Sequence, residues 1–136
     1  MNKRKIKITY IIFLLVIIGA VIFIGKITKL NDFDAKEVTE IVLVSPPYKK
    51  RITDQQEIEE FTSMFNDRKK KPVFSIINSS GWSKRAIISM GTRQYDIIFC
   101  GENITVNRLK YVMDESIDSE LDQFYRSLNE TEEEYN

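Results

Sequence analysis

From Ile8 to Gly25 the chain runs eighteen residues without a charge, and no other stretch constrains its fold so tightly. Thirteen of these residues are Ile, Leu, Val or Phe, and the only hydroxyls belong to Thr9 and Tyr10. A helix of this length rises roughly 27 Å, close to the hydrocarbon thickness of a bilayer. At about −0.3 to −0.6 kcal/mol per large apolar side chain, the run gains roughly 4–8 kcal/mol on insertion. A surface helix of a soluble domain keeps one polar face, and this run has none. A cleaved signal has an apolar core of about 7–15 residues ending at small residues. Here the run is longer and closes on Phe23-Ile24-Gly25, and no cysteine follows that could carry a lipid. The expectation is an uncleaved transmembrane helix over 8–25, preceded by a cytoplasmic stub, 1–7.

Charge sets the expected direction. Lys3, Arg4, Lys5 and Lys7 precede the run, whereas Lys26 and Lys29 are soon met by Asp32, Asp34 and Glu37. The positive-inside bias places the N-terminus in the cytoplasm and the rest outside a plasma membrane. About 110 residues remain beyond the span, enough for one domain. Residues 1–26 hold five of the twenty Lys and Arg and no acid, so the remainder carries fifteen against twenty acids. A net charge of −5 argues against nucleic acid as a partner. Cys100 is the only cysteine, which rules out an internal disulfide and suits a bacterial, particularly Gram-positive, exterior.

Residues 26–36 read as a polar tether. Val38–Val44 is β-branched and turns apolar on both faces, as a central strand does. Ser45-Pro46-Pro47 stops it, and Tyr48–Thr53 alternates as a second strand. Asp54 is a good N-cap with Glu57 at capping-box spacing, and Ile58, Phe61 and Phe65 fall on one helical face. Arg68–Lys71 would favour that helix's negative end, with Pro72 closing it. Asn78-Ser79-Ser80-Gly81 is turn chemistry. Strands follow at Ala86–Met90, Tyr95–Cys100, Ile104–Val106 and Leu109–Met113, with Asn107-Arg108 as a tight turn despite the arginine. A last helix begins near Ser116 or Asp118 and lines up Ile117, Leu121, Phe124 and Leu128. Residues 130–136 read as an acidic, disordered tail. The fold class is α+β: a transmembrane helix, then over 37–129 a small antiparallel sheet with two helices on one face, β-β-α-β-β-β-β-α.

Arg51-Ile52-Thr53-Asp54 leading into a helix, Gly81-Trp82 before a strand, and Ile104-Thr105-Val106-Asn107 with Tyr111 resemble a known group over residues 38–128. They resemble the small exported α+β proteins of unknown function in Gram-positive bacteria, tethered by an N-terminal helix or a lipid. The resemblance implies location and fold, and carries no activity.

There is no histidine, which removes histidine triads, histidine bases and histidine-ligated metals together. Cys100 lacks a base to activate it and reads as a small apolar strand residue. Asp114-Glu115 and Asp118-Glu120 sit where a helix start favours negative charge, without the spacing of a calcium loop. No catalytic, cofactor or metal residue is assigned. The candidates for partner binding are Trp82, beside a glycine in a polar loop, and two basic clusters, Lys49, Lys50, Arg51 and Lys69, Lys70. The clusters also read as a solvated strand face and a helix end, and Trp82 also reads as a lid over the sheet. The reading is a non-enzymatic, membrane-anchored module that binds another envelope protein or a toxin. The alternative is a small carboxylate-dependent envelope hydrolase, which would need two acids about 5–9 Å apart in a cleft.

Overall fold

A computed structural model describes residues 3–74 and 81–136, apart from the side chains of residues 3–6, 27 and 28. It divides into two units, Met1–Leu30 and Asn31–Asn136. The first is a helix, α1 (Lys3–Thr28), whose stretch Lys7–Lys26 is long and apolar enough to cross a membrane. A helix pairs its backbone groups internally, so such a sequence needs no polar partner in lipid.

The second unit is built on an eight-stranded antiparallel sheet. Its strands are β1 (Val38–Ser45), β2 (Tyr48–Ile52), β3 (Lys70–Pro72), β4 (Lys84–Met90), β5 (Arg93–Cys100), β6 (Asn103–Val106), β7 (Leu109–Met113) and β8 (Glu133–Glu134). In space they run β3-β7-β6-β5-β4-β1-β2-β8, so β1 is interior, paired with β2 and β4. Two-residue turns join β1 to β2 and link β4 through β7 in succession. Asn107 and Arg108 both have positive φ, 47° and 73°, the conformation that a primed hairpin demands. The turn's Asn107 Oδ1 accepts from Asp96 N at 2.9 Å, which helps hold the arginine there.

Alternation along the strands sends Ile41, Leu43, Ile52, Ala86, Ile88, Ile97, Phe99, Ile104, Val106, Tyr111 and Met113 to one face, where all are buried. Helices α2 (Gln55–Asn66) and α3 (Asp118–Ser127) both cover it. Asp54 caps α2 as expected, accepting from Gln56 N and Glu57 N. The rings of Phe61 and Phe124 meet at 6.1 Å, and Phe65 stands edge-on to Phe99 at 6.2 Å. The Ile117, Leu121, Phe124, Leu128 stripe is buried along its whole length.

Four expectations need correction. The tether does not reach residue 36: Phe33 is buried against Phe65 and Tyr95, and its backbone exchanges two hydrogen bonds with the Asn66 side chain. Helix α2 stops at Asn66 instead of running on to Pro72. The chain turns at Asp67 because Lys70–Pro72 gain a ladder partner in β7, extended by Lys69 O accepting from Asp114 N. Residues 130–136 are ordered in part: Glu133 and Glu134 pair with Lys49 and Tyr48. The order thus gains two short edge strands, β3 and β8. The turn expected at Asn78-Ser79-Ser80 lies outside the described residues.

Candidate functional site

Within the second unit, α2 and α3 leave the other sheet face without a helix among the described residues. By the same alternation it carries Val42, Val44, Ile87, Ile98, Thr105 and Val112, with charged residues set among them. Val44 is fully buried and the others are half-buried. The charges pair across strands: Arg85 makes a two-pronged contact with Asp96 at 2.7 and 2.8 Å, and Arg51 meets Glu40 at 2.6 Å. Asp96 holds the Arg85 guanidinium in its charged form, as Glu40 does for Arg51.

At the β2 end of this face Trp82 is 40% exposed, with Tyr135 edge-on at 6.2 Å. The Tyr135 hydroxyl accepts from Arg85 Nη1, and its backbone N donates to Pro47 O at 2.9 Å. Trp82, Tyr135, Arg85 and Asp96 thus form one continuous aromatic and charged surface. Sequence reasoning singled out Trp82 and missed the other three. Tyr135 lay in a segment read as disordered, and nothing in the strand pattern ties Arg85 to it.

The two basic clusters are not one patch. Strands β2 and β3 lie six strand steps apart, roughly 29 Å at the usual spacing. Nor does either cluster point one way. Lys49 is on the open face, 3.8 Å from Glu133, and Arg51 is beside it. Lys50 points to the helix face and is buried. Its Nζ donates to Tyr125 O at 3.0 Å and Leu128 O at 2.8 Å, satisfying the last carbonyls of α3. Lys69 is exposed, its backbone N donating to Asp114 Oδ1. Lys70 lies 4.2 Å from the centre of the Phe65 ring and donates to Arg68 O, and burial lowers its pKa.

The paired acids considered from sequence have local partners. Asp118 accepts from Ser83 Oγ and Gly101 N, and Glu120 pairs with Arg68. Cys100 is half-buried at the end of β5. A different acid pair is present that the sequence did not signal. Glu57 of α2 lies within hydrogen-bonding reach of Glu130, seventy-three residues away. Burial first, and Glu130 second, push the Glu57 carboxyl up to about 7.

Beside β2 on the helix side, a pocket of about 410 Å³ is bounded by Tyr48, Lys50, Asp122, Tyr125, Arg126 and Glu132, among others. The Tyr125 hydroxyl is buried there, and burial with the nearby Glu132 raises its pKa to about 12. Against known protein families, curated proteins and solved structures, the chain matches none.

Proposed function

We propose that this protein is a membrane-anchored binding module that presents its sheet domain outside the plasma membrane to another envelope protein or a toxin. Helix α1 is the anchor, and the Lys and Arg before it keep the N-terminus in the cytoplasm. The one observation that carries the binding reading is Trp82: a large aromatic, 40% exposed, set on a surface of paired charges. Such a side chain supplies apolar area to a partner at little cost in conformational freedom, and the polar rim around it orients the contact. Accessory-subunit, sensor and immunity roles all fit such a surface. We also read the chain as one of the tethered exported domains of Gram-positive bacteria that its sequence resembles.

Two experiments test this. A tagged full chain, purified from crosslinked membranes alongside its Trp82→Ala variant, should retain a partner that the variant loses. Identical partner sets by mass spectrometry would count against the reading. Protease added to intact protoplasts should remove a C-terminal epitope and spare an N-terminal one, and the reverse would overturn the orientation.

A further inference from the structure

The last residues cross three regions of the domain in turn. Glu130 lies against Glu57 on the helix side, and Glu132 borders the pocket beside Tyr125. Glu133 and Glu134 then pair with the edge of β2, and Tyr135 rests on Trp82 and Arg85 on the open face. The segment therefore wraps the β2 edge from one face of the sheet to the other. Most of its holds are weak: two ladder residues, one exposed ion pair at 3.8 Å, and the Tyr135 contacts.

The first hold is of a different kind. Glu57 Oε2 and Glu130 Oε2 are both shut away from solvent, and neither meets a hydrogen-bond donor among the described residues. The two carboxyls nevertheless lie within reach of one another. Two neighbouring carboxyls, each with a buried oxygen that has no donor, lack only a proton. With a proton on Glu57, its carboxyl donates to the Glu130 carboxylate and the pair is joined. With none, two half-buried like charges stand side by side. Asp54 and Glu60, both acidic, add to that repulsion, while Lys50 on the adjoining β2 is buried with its Nζ committed to the carbonyls of Tyr125 and Leu128.

We propose that residues 129–136 form a proton-gated strap: protonation of Glu57 beside Glu130 closes it over the β2 edge and Trp82, and deprotonation releases it. The gating of binding rests on the function proposed above, whereas the strap itself does not. At lower pH the strap covers the β2 edge and one side of Trp82. Toward alkaline pH the Glu130 end is driven off, and the β2 edge and the pocket open with it. An unpaired strand edge is a template for an extended segment of a partner. A segment with acids opposite Lys49 and Arg51 would replace what Glu133 supplies.

The test uses the full chain in detergent micelles, without a partner. Amide exchange of the C-terminal peptide is followed by mass spectrometry at pH 5.5 and 8.0, with rates corrected for intrinsic exchange. Protection of Tyr135 should fall roughly tenfold at the higher pH, the factor carried by about one pKa unit of differential interaction. The chain contains no histidine, so imidazole cannot produce a step in this range. Trp82, the only tryptophan, gives a parallel fluorescence readout. Glu57→Gln should keep the strap protected at pH 8.0, and Glu130→Gln carries the same test if the first variant fails to fold. Equal protection at both pH values in the parent overturns the strap, and so does a step that survives in either folded variant. A flat profile alongside a partner that still depends on Trp82 would sink the strap and leave the binding function standing.

Discussion

One sheet here serves two faces that solve different problems. The helix-side face is aliphatic and aromatic, closed by Phe61, Phe65 and Phe124, and its one cation on β2, Lys50, is fixed by two carbonyls. The opposite face interleaves Val42, Ile87 and Ile98 with the pairs Arg85–Asp96 and Arg51–Glu40, ending at Trp82 and Tyr135. On the first face every side chain is held by close packing, so any change of volume is felt throughout. On the second, charges pair in high dielectric and contribute little. Close packing and charge pairing are thus separated by the thickness of a strand, and a residue's register decides which it joins. Lys49, Lys50 and Arg51 show this within three positions.

The largest expected effect would break that contrast. Phe61→Ala or Phe124→Ala should cost about 3–5 kcal/mol in urea melts of a chain starting at Asn31, because each leaves a cavity in the shared core. A Phe124→Ala protein that melts like the parent would show that α3 is not held to the sheet. Next is Glu57, whose folded carboxyl titrates near 7 against an ordinary 4.5. Between those values the folded chain keeps a proton that the unfolded chain has released. The associated stability is therefore complete below 4.5 and lost as pH rises through 7. Allowing for partial exposure, Glu57→Gln should stabilise the protein by about 2 kcal/mol at pH 8 and by almost nothing at pH 4. Parallel pH–stability curves for the two proteins would refute this.

The smaller effects sharpen the contrast. Lys70 reads from sequence as solvated surface, worth less than about 0.5 kcal/mol. Its place over Phe65 raises the expected cost of Lys70→Ala to about 1 kcal/mol, while Glu133→Ala stays below about 0.5 kcal/mol. Equal midpoints for these two variants would remove the distinction. The smallest change is a gain. Arg108→Gly should stabilise by about 0.5 kcal/mol, relieving a left-handed residue at the expense of chain entropy.

What was legible follows from where the signal lay. Asp54 as a cap, the Phe61–Phe65 and Phe124–Leu128 stripes and the hairpin turns are local patterns, and each appears where its spacing put it. Strands β3 and β8 read Lys-Lys-Pro and Glu-Glu, the reverse of strand preference, and exist only because β7 and β2 offer them open edges. Phe33 looked like part of a linker because its neighbours are polar, and its burial depends on Phe65 and Tyr95, far along the chain. Of the candidate surface, Trp82 announced itself by its type. Tyr135 and Arg85 could not, since neither lies near it in sequence, and the Glu57–Glu130 pair joins two segments that local reading treats as unrelated.

The position of β1 in the ladder has a consequence for how the chain must be made. β1 is synthesised first, yet one of its two neighbours, β4, begins only at Lys84, and the helix that seals the face begins at Asp118. Loop closure over such separations slows folding, and until it is complete an aliphatic strand stands with one edge unpaired. Synthesis in the N-to-C direction therefore delivers the most adhesive segment well before the segments that enclose it. The emerging chain needs a holding factor, or a rate of synthesis that outpaces encounters between neighbouring copies.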